Sequence, residues 1–230
     1  MKHIAIILAA GSGTRLGGDK PKQFLEVGGK TILEHTVGAF ARHDGIDEIA
    51  VVTRADYVDE VRRLTARCTK VRHVVEGGKE RYHSTLAALN LYTDDDDILL
   101  FHDCVRPLVS QRIIGDCIEA LRTHAAIGVG VPATDTIWQT TADHCIAAIP
   151  PRATLVNAQT PQGFRRSVIR RAYDLALADP SFVSTDDCGV VRRYLPDTPI
   201  HIVAGEPTNI KITYKADLLL LRELAEVSGS

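Results

Sequence analysis

Arg15, Lys20 and Lys22 crowd one short stretch, Gly11-Ser12-Gly13-Thr14-Arg15-Leu16-Gly17-Gly18-Asp19-Lys20-Pro21-Lys22-Gln23-Phe24. The apolar run Ile4 to Ala10 leads directly into it. Glycines and small residues leave backbone N–H groups open and let a phosphate approach without meeting a Cβ. The three cations supply the charge a triphosphate needs. The dinucleotide fingerprint fails, because Leu16 stands where its third glycine belongs. The Walker loop fails too, since Gly18-Asp19-Lys20 replaces its Gly-Lys-Ser/Thr. The stretch therefore reads as a nucleotide loop of neither common kind, with a structural turn as the plain alternative.

Three further constellations follow. In Glu76-Gly77-Gly78-Lys79-Glu80-Arg81-Tyr82-His83-Ser84 the glycine pair permits close backbone approach where a strand gives way to a helix. His102-Asp103-Cys104-Val105-Arg106-Pro107 follows an apolar strand, Ile98 to Phe101. A carboxylate at the mouth of a sheet among basic residues is suited to magnesium, so Asp103 is the metal candidate. Arg106 can grip a phosphate with two parallel hydrogen bonds, and a plain Asp103–Arg106 loop salt bridge is the alternative. His102 reads as a packing or positioning residue, because one His beside one Asp supplies too few metal ligands. Thr185-Asp186-Asp187 reads as a helix N-cap region, with a second metal role as the alternative. The run Asp94 to Asp97 reads as a solvated turn.

The elements that must carry these groups alternate. Helical spacing covers 31–40, with Thr31 as N-cap and Glu34 three residues on. A strand is predicted at 48–53, a helix at 56–67 and a strand at 71–75. Then come a helix at 84–92, a strand at 98–101, a helix at 111–123 and a strand at 127–131. The rhythm implies parallel β-α-β units with helices on both faces of a twisted sheet. It breaks between Pro132 and Pro161, where 136–140 and 145–148 read as a hairpin around Thr141-Ala142-Asp143-His144. The apolar residues there, Trp138 among them, have no evident core to join. An arm packed against a second subunit would cover them; an extension folded back on its own domain is the alternative. Helices at 165–178, 187–194 and 215–226 and a strand at 200–203 complete the chain.

Composition sets the class. The chain has 230 residues, 45% hydrophobic and 24% charged, enough for one large domain with an ample core. A net charge of −2 disfavours a nucleic-acid backbone or an anionic membrane as partner. Five dispersed cysteines, with no C-x-x-C, read as reduced thiols rather than a disulfide framework or zinc site. The run 4–10 is too short for a signal peptide, and the expected compartment is the cytoplasm.

The run Leu8-Ala9-Ala10-Gly11-Ser12-Gly13-Thr14-Arg15-Leu16-Gly17, with Pro21-Lys22-Gln23-Phe24 after it, resembles the signature of nucleotidyltransferases that make nucleoside-diphosphate sugars and alcohols. Its ending narrows the resemblance to cytidylyltransferases acting on 2-C-methyl-D-erythritol 4-phosphate or ribitol 5-phosphate. The match runs through five segments in order along nearly the whole chain. It implies an α/β, Rossmann-like nucleotidyltransferase fold of three layers, with a mostly parallel sheet and a protruding β-arm for dimerisation. One domain over 1–230 is expected, with 133–158 as the arm. The resemblance also implies transfer of CMP from CTP to an alditol phosphate with release of pyrophosphate, assisted by Mg²⁺. Arg15, Lys22 and Lys211 become the catalytic cations. Ala9, Ala10, Gly11, Gly13, Gly78 and Ser84 become CTP contacts, and Asp103 and Arg106 serve metal and acceptor. Asp135, Thr136 and Arg152 are implied as contacts to the acceptor phosphate from the neighbouring subunit, and Thr160 as one from within the subunit. Lys79 departs from the family, which often has Asp there.

Val105, the Ile149-Pro150-Pro151-Arg152 segment, the lack of a basic residue after Asp135-Thr136-Ile137, and Ile212-Thr213-Tyr214-Lys215 resemble the ribitol 5-phosphate enzymes more closely. The methylerythritol enzymes usually have Ala at position 105 and a basic residue at 138. The expectation therefore leans to ribitol 5-phosphate, with methylerythritol phosphate as the alternative. A catalytically silent nucleotide-binding relative is the rival of another class. Retention of Arg15, Lys22, Asp103 and Lys211 together argues against it.

Overall fold

The apolar run at the start of the chain becomes strand β1 (His3–Leu8) in a computed structural model that describes residues 1–11 and 20–228. In chain order there follow β2 (Glu26–Val27), β3 (Lys30–Thr31), α1 (Ile32–Ala41), β4 (Glu48–Thr53), α2 (Val58–Thr65), β5 (Val71–Glu76), α3 (Arg81–Leu89) and β6 (Ile98–Asp103). Next are α4 (Gln111–Ala120), β7 (Ala126–Pro132), β8 (Gln139–Thr140), β9 (Ile146–Ala148) and β10 (Val156–Arg165). The chain continues through α5 (Arg166–Leu177), α6 (Asp187–Tyr194), β11 (His201–Ala204) and α7 (Lys215–Ser228).

Among the described residues the central sheet has seven strands in the order β11-β7-β10-β6-β1-β4-β5. Side chains alternate across β1, so Ala5 and Ile7 join the core under α1, α2 and α4. Ile4 and Ile6 join the opposite core under α3, α5 and α6. With both faces covered, β1 and β4 read as continuous apolar runs, as central strands of a parallel sheet must. Thr31 caps α1 as expected: its hydroxyl accepts the N–H of Glu34, whose carboxylate accepts the N–H of Thr31.

Two differences from expectation bear on the site. The first is β10, which lies antiparallel between β6 and β7 in the middle of an otherwise parallel sheet. Its sequence, Val-Asn-Ala-Gln-Thr-Pro-Gln-Gly-Phe-Arg, hides a strand behind two glutamines and a proline. The register shift between Gln159 and Gln162 accommodates Pro161, and both glutamine amides are bonded to neighbouring segments. The second is α3, which begins at Arg81 rather than Ser84 and so brings Arg81 into its first turn.

The hairpin forms as expected: β8 pairs antiparallel with β9, matching Gln139 to Ala148 and Thr140 to Ile146. It carries its apolar side chains outward, with Trp138 59% and Ile146 52% exposed. The acidic run is not wholly solvated. Asp97 is buried and accepts the backbone N–H of Lys2. Among the described residues no helix is long and apolar enough to cross a membrane.

Candidate active site

The carboxyl ends of β1, β4, β5 and β6 finish level with one another, because the register pairs Leu8 with both Val52 and Asp103. Beyond those ends lies a cleft of about 300 Å³, the position where open α/β sheets take their ligands. Leu8, Ala9, Ala10 and Gly11 form one wall and Gly78 to Arg81 with Ser84 another. Lys22, Gln23, Asp103 to Val105 and Lys211 complete it.

Backbone geometry sets the walls. Ala9 N–H reaches the carbonyl of Val52 at 2.7 Å and Cys104 N–H that of Leu8 at 3.0 Å, which closes the strand ends over the sheet. Gly77 must be glycine: a Cβ there would stand 2.4 Å from Ser84 Oγ and 3.2 Å from Ala10 Cβ. Gln23, a residue given no role from sequence, is buried and donates to the carbonyls of Ala9 (2.7 Å) and Gly11 (3.3 Å). It pins the strand end that carries the glycine loop. Its position beside Lys22 in the Pro-Lys-Gln-Phe run was the available signal.

Charge gathers around Asp103. Lys211 Nζ lies 2.8 Å from its Oδ2, and Arg106 Nε approaches the same oxygen at 3.9 Å. Burial pushes the Asp103 carboxyl up, but Lys211, Arg81 and Arg106 outweigh it and hold the group below the usual carboxylate range. Lys22, buried at the cleft wall, donates to the carbonyl of Ile212 at 3.2 Å and so meets the segment that carries Lys211. Arg81, at the cleft wall, reaches back to the wholly buried Asp187 at 2.6 Å, a close ion pair not aligned as a hydrogen bond. Asp187 Oδ1 also accepts from Thr85 (2.8 Å) and Tyr173 (2.7 Å). Arg81 is a second residue that sequence reading left without a role; the unrecognised helix start concealed it.

Of the expected site residues, Ala9, Ala10, Gly11, Lys22, Gly78, Ser84, Asp103 and Lys211 converge on the cleft. Arg15 and Gly13 lie outside the described residues. Arg106 is not in the lining; its guanidinium donates to the carbonyls of Asn209 (2.7 Å) and Ala158 (3.4 Å). Asp135, Thr136 and Arg152 sit exposed at the root of the arm, where Arg152 donates to the carbonyl of Thr134, and none of them lines the cleft. Thr160 is 5% exposed, with its hydroxyl turned to Asp103 N–H and His102. Asp187 of the Thr-Asp-Asp run is sealed from any ion by its three partners. Asp186 caps α6, accepting the N–H of Gly189 at 2.8 Å.

The family model for IspD, 2-C-methyl-D-erythritol 4-phosphate cytidylyltransferase, matches residues 3–226. The chain belongs to the IspD family. One IspD relative, the 2-C-methyl-D-erythritol 4-phosphate cytidylyltransferase of Thermobifida fusca, is 48% identical over 96% of this chain and 92% of its own. The crystal structure of 4-diphosphocytidyl-2C-methyl-D-erythritol synthase from Anaerococcus prevotii superposes with a TM-score of 0.87. It has 32% identity and covers 98% of this chain and 96% of that one. A bifunctional ribulose 5-phosphate reductase/CDP-ribitol pyrophosphorylase from Haemophilus influenzae is 40% identical over 97% of this chain and 48% of its own. As an IspD-family member the chain is a CTP-using nucleotidyltransferase, a cytidylyltransferase acting on an alditol phosphate.

Proposed function

We propose that this enzyme transfers CMP from CTP to 2-C-methyl-D-erythritol 4-phosphate. A phosphate oxygen of the acceptor attacks the α-phosphorus of CTP in line; the new P–O bond forms as the bond to pyrophosphate breaks. The acceptor phosphate is already ionised near neutral pH, so no side chain need remove a proton. The protein's part is positioning and charge neutralisation. The observation that carries the reading is the convergence of Lys22, Asp103 and Lys211 on a cleft whose far wall is Gly78 and Ser84.

The methylerythritol acceptor replaces the expected ribitol 5-phosphate. The family model and the Thermobifida relative support it. Ile212 is wholly buried, Val105 packs against the same cluster, and Ile212 N–H bonds to the carbonyl of Val105 at 2.8 Å. Ile212 therefore answers to the core, whereas Val105 packs against that cluster and also lines the cleft.

Gly78 and Ser84 serve the cytidine end. Arg15 and Lys22 neutralise the triphosphate, and Lys211 holds the α-phosphate against the incoming oxygen. Arg106 and Thr160 belong to the acceptor side, together with Asp135, Thr136 and Arg152 contributed across a dimer by the arm. Mg²⁺ fits Asp103. Both cations approach Oδ2, and among the described residues there is no cluster of three or more acidic, His or Cys side chains. One carboxylate completed by phosphate oxygens and water is the ordinary magnesium arrangement. When bound, the ion would neutralise charge on the triphosphate.

The test is pyrophosphate release from CTP and Mg²⁺ with each acceptor supplied separately. We expect kcat/KM for the methylerythritol phosphate to exceed that for ribitol 5-phosphate by about a hundredfold or more, with EDTA abolishing both. A preference for ribitol 5-phosphate would reverse the assignment.

A further inference from the structure

The turn after β6 carries Asp103 and Arg106, and almost every polar backbone group in it is held from outside. Cys104 N–H bonds to Leu8, the Cys104 carbonyl accepts from Thr36 Oγ1 at 2.6 Å, and the Val105 carbonyl accepts from Ile212. The remaining groups join one closed circuit. Asp103 N–H donates to Thr160 Oγ1 (3.1 Å), which lies 3.0 Å from His102 Nδ1. His102 Nε2 meets the Arg106 carbonyl at 3.0 Å, and Arg106 N–H returns to the Asp103 carbonyl at 3.0 Å.

The chemistry of the groups fixes the direction. A carbonyl only accepts, so His102 Nε2 carries the proton and Nδ1 is left as acceptor. The imidazole is wholly buried, its ring packed edge-on against Phe40. Thr160 must then donate its single proton to Nδ1 while accepting from Asp103 N–H. Its hydroxyl proton is committed inward. The circuit extends to the segment that carries Lys211, because Asn209 Nδ2 donates to the Thr160 carbonyl (2.9 Å) while the Asn209 carbonyl accepts from Arg106 (2.7 Å). Lys211 follows two residues later.

We propose that His102 and Thr160 are positioning residues which lock the Asp103–Arg106 turn, and through Asn209 the Lys211 segment, into the geometry that transfer requires. This rests on the cytidylyltransferase reading and revises one part of it: Thr160 acts through Asp103 rather than as a donor to the acceptor phosphate. Displacing reacting groups by about 1 Å costs on the order of a hundredfold in rate, so the effect belongs in kcat.

The experiment compares Thr160→Val, Thr160→Ser, His102→Asn and His102→Gln with the parent, using steady-state kinetics in both substrates. Thr160→Val should lower kcat by about thirtyfold or more, with KM for CTP and for the acceptor within about twofold. Thr160→Ser, which keeps the hydroxyl, should return kcat to within about threefold of the parent. Should Thr160→Val fail to fold, the two His102 variants are read the same way, since each removes one link of the circuit and keeps the other. A raised acceptor KM at unchanged kcat would make Thr160 a direct contact and overturn the proposal, as would parental kinetics throughout. Nitrogen-15 NMR of the ligand-free protein gives a reading independent of turnover. The Nε2–H tautomer of His102 is expected, and the Nδ1–H tautomer would break the circuit even in an active enzyme. A parent inactive with both acceptors but showing the Nε2–H tautomer would sink the functional reading while leaving the circuit standing.

Discussion

Asp187 is wholly buried at the start of α6, where its carboxylate accepts from Thr85 and Tyr173 and forms an ion pair with Arg81, partners from two other helices. Burial and the carboxylate together push the Tyr173 hydroxyl's pKa up, so it remains a donor across the working range. Removing one partner of a buried ion pair is far costlier than the pair's net worth, because the survivor keeps its desolvated charge. Asp187→Asn should therefore destabilise the fold by about 3 kcal/mol, the low end of the range because the Arg81 side chain is 25% exposed to the cleft. Urea unfolding would show this as a lower midpoint at unchanged slope. A shift below about 0.5 kcal/mol would mean that Arg81 finds compensation in the cleft. The same residue shows how a sequence reading is limited: Thr-Asp-Asp announces a helix cap, and Asp186 is that cap. Nothing in the run says that its neighbour turns inward to an arginine 106 positions earlier.

At the scale of elements, the site depends on the junction of β5 with α3. Gly77 lets Ser84, Val52 and Ala10 close on the backbone; an added methyl would lie 2.4, 2.9 and 3.2 Å from them. Gly77→Ala must push Ser84 or the Ala9–Gly11 wall aside, so CTP should bind at least about tenfold more weakly. Overpacking should cost a further 1–3 kcal/mol or so of stability. Calorimetric titration with CTP reads the first effect and thermal unfolding the second; unchanged affinity would remove Ser84 from the nucleotide site. Most elements were legible because their signals are local: apolar runs, a capping box at Thr31, amphipathic helical spacing. β10 was not, because a central strand with Gln159, Pro161 and Gln162 contradicts every local preference. It persists because both amides find partners in the 186–188 and 205–209 segments.

At the scale of the whole molecule, the arm is the feature that a single chain leaves unexplained. Ile137, Trp138, Ile146 and Ile149 are between 41% and 59% exposed on a two-stranded hairpin. Such a hairpin is marginally stable alone in water. A second copy covering this face would account for both. Light scattering on the parent should give a dimer mass, and Trp138→Glu with Ile146→Glu a monomer at the same concentration. Turnover of that variant should fall by about tenfold or more if the arm contributes to the acceptor site. A parent that runs as a monomer with full activity would remove the arm from catalysis.

The sequence by itself determined most of the strand-and-helix alternation, the caps at Thr31 and Asp186, and the apolar run of β1. Each of these depends on near neighbours in the chain or on side-chain chemistry that does not change with context. Only the tertiary structure decided which polar groups face the cleft and which face one another. The family resemblance implies Thr160 and Arg106 alike as contacts to the acceptor. In the fold their hydrogen bonds go to His102, Asp103, Asn209 and Ala158, because segments more than fifty residues apart meet at the carboxyl end of β6 and a buried polar group must find its partner there.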